Sequence, residues 1–460
     1  MNTNTLWSLR LGFSRKEADR IQAQGIELFL KNSFTTKPNI VPSHILATTP
    51  KTVADIKAVK QSVKGNRAKI RERLKKEKKI LFTLKSWWID KMATDDYPLR
   101  EKMTLFWHNH YVAAYKKVKV NHWIYSHNNL LRENAFGNFR ELTKQALRTN
   151  AIIVYLDDTK NTKRGLNENL SRELLELFTL GEGNYTEEDI KNGARGLAGL
   201  IVGDNETRYR PSLQDNTPFT YFGEKGVFKS DDMVDIIFKQ KAAPYFITRK
   251  LLKWFIYDNP SEELVHYYGD YLREQDYEIQ PLLLKIFTEE FDKPTAGSKI
   301  KDPLTYILQL HEELNITTQN NKLTALFIRQ QGMDLFDQPN VKGWDGGTYW
   351  LTAQLYQQRN RLANLYCNGK NVSIRMLKNT GYDNEPYAAT FDINVKWDKG
   401  NNLQVINQLK NRLLFDVDIE TQKNLESILT HDFDAEDKDA NKAVIRLFNY
   451  MLKTPEFQLI

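Results

Sequence analysis

The sequence predicts a mainly α protein, one large multi-helix globular domain with small β-hairpin insertions. Three observations predict it. Apolar residues recur at spacings of three and four over most of the chain, the period of a helix with one buried face. Capping residues and glycines bound these stretches as helix starts and stops. Strict alternation of apolar and polar residues is confined to two short patches.

Taken in order, the helices begin with a basic stretch from about Lys51 to Lys79. Lys57, Lys60, Lys64, Arg67, Arg71, Lys75 and Lys78 fall on one helical face, and Ile56, Val59, Val63, Ile70 and Leu74 supply an apolar stripe. Such a face is either solvated or binds a polyanion. Helical periodicity continues from Leu81 to Tyr115, with a break at Asp95-Asp96-Tyr97-Pro98. There Asp96 is the expected N-cap and Pro98 a first-turn residue. Further helices are expected over Val120 to Glu133 and Phe139 to Thr149, separated by an Asn134–Asn138 turn. Another runs from Glu168 or Asn169 to Leu180 and is stopped by Gly181 and Gly183. Thr186, with Asp189 three residues later, is a capping box opening the next. Leu200 to Phe222 reads as a hairpin turning at Gly203-Asp204-Asn205. Phe391, Ile393, Val395 and Trp397 read as a second strand-like patch. Helices resume from Ser230, break at Pro260, and end in an amphipathic helix over Ala443 to Leu452. The organisation expected is an N-terminal helical subdomain at 1–95 and a main helical domain at 96–460.

Composition removes several classes of function. The chain has 460 residues and needs neither disulfide nor metal to fold. Its single cysteine, Cys367, excludes a disulfide framework and a Cys-based metal cluster. A net charge of +8 is mild for this size, so nucleic acid is not an expected partner. No stretch approaches the ~18 apolar residues of a membrane span. The first residues lack the basic and apolar regions of a signal peptide, which on its own points to the cytoplasm. There is no phosphate loop, no Gly-x-Ser-x-Gly elbow and no His-Glu-x-x-His zinc motif.

Three strings go beyond generic helix: Phe106-Trp107-His108-Asn109-His110; Asn167 to Gly181, reading NENLSRELLELFTLG; and Pro339 to Gly347, reading PNVKGWDGG, with Trp350 beyond it. Arg132 to Phe139, Leu9 to Phe13 and Thr454 to Phe457 add to the series. In this order, over almost the whole chain, they resemble the bacterial domain of unknown function 1800 family. The resemblance implies a fold and a set of motif positions, not a reaction. It also implies that export to the periplasm or beyond is common among relatives, and that a sulfatase-like protein is a frequent genomic neighbour and so a candidate partner. In one place the chain departs from the family pattern. Gln214 stands where a His is usual, before Asp215, and Phe219 stands where a Lys is usual.

The chemistry these residues suggest centres on carboxylates. Glu173 and Glu176, three apart, share a helix face, and Glu168 lies near the helix start, where a carboxylate is favoured. With His108 brought from another helix they are a candidate divalent-metal set, the metal ion being the cofactor such a set would hold. The catalytic candidates are His108, His110, Arg172, Glu173, Glu176 and Asp215. Asn167, Asn169, Trp344 and Trp350 are the substrate-contact candidates. On a regular helix His108 and His110 point about 200° apart, so one of them faces a site. The competing reading makes Glu173 and Glu176 structural, paired with Arg172, Arg195 or Arg140, and both histidines satisfied core residues. Three functions remain open: an enzyme for hydrolysis or group transfer on a polymeric substrate, a non-catalytic binding or assembly protein working with an envelope-associated partner, and polyanion binding through the basic helix at residues 57 to 79.

Overall fold

The computed structural model describes residues 1–316, 321–369 and 393–460, with the backbone of 372–373 and 388–389. It is mainly α, and one contiguous core cluster runs from Trp7 to Phe457. No helix among the described residues is long and apolar enough to cross a membrane.

The organising element is the helix Leu99–His110. Every residue in it except Asn109 is buried, so it reads as a central rod rather than an amphipathic surface helix. Its polar members are satisfied in place. The Arg132 Nε donates to both Glu101 oxygens, at 3.0 and 3.1 Å. The Trp88 indole N–H donates to Glu101 at 2.7 Å. Lys102 donates to the Thr305 hydroxyl at 2.9 Å and pairs with Asp302. A buried ion pair needs such extra hydrogen bonds to offset desolvation. Arg132 opens one of the recurrent motifs, so that motif carries structure.

The basic region differs from the single helical face expected. It forms two helices, Val53–Val63 and Arg67–Thr94. The break lies at Gly65, whose φ of +76° is open to glycine at no steric cost. Asn66 then restarts the chain by accepting from the Lys69 N–H. At the next break Asp95 ends the long helix and Pro98 takes the cap position, not Asp96.

The rod packs against the helix Asn121–Glu133 and meets the helices Phe139–Leu147, Ala243–Phe255 and Pro303–Glu313 through Trp107–Phe139, Phe106–Trp254 and Lys102–Thr305. The chain ends cross the body. The buried Arg10 donates to the Thr295 hydroxyl and carbonyl, both at 2.6 Å. Near the C-terminus, Ile460 and Lys299 exchange backbone hydrogen bonds. The capping box at Thr186 and Asp189 is present.

The β content is small. Leu200–Ile201 pairs antiparallel with Arg208–Tyr209 around the expected turn, with Leu200 opposite Tyr209. A separate hairpin pairs Phe219–Tyr221 with Glu224–Gly226. Both of its turn residues, Phe222 and Gly223, have positive φ, the twist that suits a two-residue hairpin. A third pair joins Val372–Ser373 to Ala388–Ala389. Ile393 to Trp397, expected as strand, is irregular. It is fixed instead by Val395 in the core and by the Asn394 N–H on the Leu314 carbonyl. Phe391 lies outside the described residues.

Candidate active site

The rod ends at His110, and its last turn joins two of the recurrent strings. Asn109 clamps the 339–350 loop through both halves of its amide. Its Oδ1 accepts the Trp344 N–H at 2.6 Å, and its Nδ2 donates to the Trp344 carbonyl at 3.3 Å. The loop reaches this position because residue 343 is glycine. Its φ is +84°, and a Cβ there would lie 2.2 Å from Asn109 Oδ1 and 2.6 Å from the Asn109 carbonyl.

His108 and His110 face different surroundings. The His108 Nε2 accepts the Phe336 N–H at 3.0 Å, which puts the ring proton on Nδ1. Its ring packs against Trp88, Phe336 and Trp344. It therefore fastens the loop to the rod from within the core. The His110 Nε2 lies 3.0 Å from the Phe178 carbonyl and must donate to it. Its Nδ1 is left as a free acceptor. Burial, then the Lys250 charge, holds His110 well below its usual pKa, so it is neutral.

His110 and Asn109 line a cleft of about 250 Å³ between the rod, the Ala243–Phe255 helix and the 339–350 loop. Four lysines line it, Lys250, Lys253, Lys299 and Lys342, against two aspartates, Asp258 and Asp345. Lys299 is buried and pairs with Asp258 at 3.5 Å. Among the described residues no carboxylate pairs with the other three lysines. Trp254, Trp344 and Trp350 complete the wall. The indole N–H groups of Trp254 and Trp344 are buried and find no acceptor among the described residues. A buried donor without a partner is costly.

Lys250 is partly buried. Its one hydrogen bond is a long contact of 3.4 Å to the Leu177 carbonyl, and its ammonium lies over the Phe246 ring. Burial first, and the neighbouring Lys253 charge second, lower its pKa from 10.5 to about 7.

The Asn167–Gly181 string supplies the carbonyls. The Asn169–Glu173 helix widens into a π turn over Leu174–Thr179, where the Leu180 N–H reaches back to the Leu175 carbonyl. Gly181, at φ +84°, ends it. The last carbonyls of a helix have no donor within it. Here those of Leu177 and Phe178 are taken by Lys250 and His110. Single π turns of this kind are frequent at functional sites.

Glu173 and Glu176 are not among the residues that line the cleft. Burial and the Glu176 charge raise the Glu173 pKa, while Lys342, a cleft residue, lowers it. Glu176 accepts from the Tyr185 hydroxyl at 2.9 Å. Neither is paired with Arg140 or Arg195. Those arginines bind Asp276 and Asp215 respectively. Arg172 sits outside the cleft, in ion pairs with Glu187 and Glu168. Asp215 is likewise outside. Burial works to raise its carboxyl, but the Thr217 hydroxyl and Arg195 prevail and hold it at about 2. Asn167 shapes its own loop by donating to the Asp157 carbonyl and accepting the Asn169 N–H, and Asn169 is exposed. Trp344 and Trp350 do line the cleft.

The metal set expected from Glu168, Glu173, Glu176 and His108 is not drawn together. His108 is committed to the Phe336 N–H, and Glu168 lies beside Arg172. Among the described residues no three His, Cys, Asp or Glu side chains gather as a metal-holding group.

Sequence reasoning missed the four lysines, Trp254 and Asp258. A signal for part of this was present. Lys250, Lys253 and Trp254 stand at i, i+3 and i+4, two cations and an indole on one face of the Ala243–Phe255 helix. Lys299 and Asp258 come together only through the fold.

The model of the family described as "Protein of unknown function (DUF1800)" matches residues 5–459. No curated protein and no solved structure matches the chain.

Proposed function

This chain belongs to the DUF1800 family, whose function is unknown, and we propose that it is an acid–base enzyme acting on an anionic substrate in the lysine-lined cleft. The observation that carries this reading is Lys250, an amine without a carboxylate partner that titrates near neutrality among surplus hydrogen-bond donors. A purely structural buried lysine is expected to be paired, as Lys299 is with Asp258. A group that exchanges its proton near pH 7 is matched to general acid–base work.

The roles follow from position. Lys253 and Lys342 receive the negative charge of a phosphate, sulfate or carboxylate, and the Trp254 and Trp344 indoles add donors. Lys250 takes or gives the proton of the reacting group. The neutral His110, with Nδ1 free, is the acceptor beside it. Hydrolysis or group transfer suits this set. Glu173, raised in pKa by burial and by the Glu176 charge, feels the cleft residue Lys342 and is a second acid–base candidate.

Inorganic phosphate and sulfate are the test probes. An anion beside Lys250 favours its charged form. At pH 8, calorimetry in two buffers of different ionisation enthalpy should therefore show saturable binding with proton uptake approaching one per anion. Lys250→Met should abolish the uptake. Replacing Lys253 and Lys342 with alanine should weaken binding about tenfold. Absence of anion binding would refute the reading. Binding without proton uptake would reduce the cleft to an anion receptor and favour the binding-protein alternative.

A further inference from the structure

A second cavity, which shares no lining residue with the lysine cleft, lies beneath the Val53–Val63 helix. We propose that it binds one single-chain anionic amphiphile, a fatty-acid-like molecule with an acyl tail and one carboxylate head.

The helix itself gives the first argument. It starts correctly, with a complete Thr52–Asp55 capping box, yet none of its residues is buried. An 11-residue helix is marginal in water unless its apolar face is covered. Its stripe of Val53, Ile56, Val59 and Val63 instead lines an open cavity of about 620 Å³. Across the cavity Ile70 and Leu74 remain 38% and 48% exposed. Val120 and Trp123 form part of the floor. Apolar walls facing unfilled space are what an apolar ligand would cover.

Charge gives the second argument. Lys57, Lys60 and Lys119 line the cavity, and none has an ion-pair partner among the described residues. Of the other lining charges, Arg73 pairs with Glu77 and Lys117 with Asp157. Glu77 is further engaged by the Thr49 hydroxyl and the Asn121 amide. The surplus is therefore positive and peripheral, with an apolar interior: a place for one tail and one anionic head.

An extended acyl chain with a single anionic head matches an apolar interior bordered by one set of lysines.

The test is a calorimetric series of octanoate, decanoate, dodecanoate and tetradecanoate, all below their micelle concentrations. Each added methylene should tighten binding about threefold to fourfold until the cavity is full, after which affinity levels off. Alkyltrimethylammonium ions of matched length should bind at least about tenfold more weakly. Replacing Lys57, Lys60 and Lys119 with glutamine should remove that preference. Val59→Glu should abolish binding of either amphiphile. These positions are not buried in the core, and circular dichroism checks that the variants fold. No saturable binding of dodecanoate, no dependence on tail length, or equal affinity for the cationic series would overturn the proposal. So would retention on heparin that the lysine substitutions remove while dodecanoate binding is unchanged, which would make this a polyanion surface.

Discussion

Replacing Lys250 with methionine tests the energetics of the cleft directly, because it removes the charge and keeps the packing volume. The folded amine titrates at about 7 instead of 10.5. At about 1.4 kcal/mol for each pH unit, the displacement sets a ceiling of roughly 5 kcal/mol on the cost of holding this side chain at pH 6. The side chain is only partly buried, and solvent reduces that figure, so about 2–3 kcal/mol is expected. The sign follows from proton counting. Between pH 7 and 10.5 the unfolded lysine holds a proton that the folded one has released, so the native protein gains stability as pH rises through that window. Methionine has no such dependence. Urea unfolding of both proteins should find Lys250→Met more stable by about 2–3 kcal/mol at pH 6, and by less than half of that at pH 9. Taking the difference between the two proteins cancels the titration of groups remote from residue 250. A variant equally or less stable at pH 6, or a difference that does not change with pH, would refute the assignment of a near-neutral amine.

Three other perturbations separate roles. Gly343→Ala forces a side chain into a left-handed backbone and against Asn109; it should cost about 2–3 kcal/mol in urea unfolding and lower phosphate affinity, because the loop carrying Trp344 is displaced. His108→Leu strands the Phe336 N–H in the core and should cost about 1–3 kcal/mol while leaving phosphate affinity intact; changed affinity at unchanged stability would place His108 in the cleft chemistry. Burial pushes the Asp158 carboxyl up to about 8, against one hydrogen bond from Asn161. The folded state thus keeps a proton the unfolded state lacks between about pH 4 and 8, and the protein should lose stability as pH rises through that window. Asp158→Asn should lack this loss, giving a variant-minus-native difference about 3–4 kcal/mol more favourable at pH 8 than at pH 5; a flat difference would contradict it.

Much of the fold was legible because local rules and global packing agree. The Thr186–Asp189 capping box, the Gly181 stop and the turn before Phe139 stand where their residue types place them. Two departures have local causes: Gly65-Asn66 splits the basic helix, and Pro98 displaces Asp96 as cap. Among the described residues no strand pairs with the Ile393–Trp397 patch, and its alternation serves core anchoring by Val395.

The site was legible only in part. The recurrent strings drew notice through their polar residues, yet several of those serve structure. Arg132 holds Glu101, Asn109 clamps Trp344, and His108 receives the Phe336 N–H. The chemically distinctive residue, Lys250, sits in an unremarkable amphipathic helix. Its altered proton affinity arises from burial and from Lys253; burial is a property of the assembled fold, which no spacing of residues records. The π turn is equally silent in sequence, since its wider hydrogen bonding leaves the residue pattern of a helix.

The most direct test is to label the lysines by reductive ¹³C-methylation and follow the Lys250 resonance, assigned by its loss in Lys250→Arg, through a pH titration. A midpoint about three pH units below those of the exposed lysines, moving upward when phosphate is added, is the predicted result. A midpoint among the exposed lysines, insensitive to phosphate, would contradict the account.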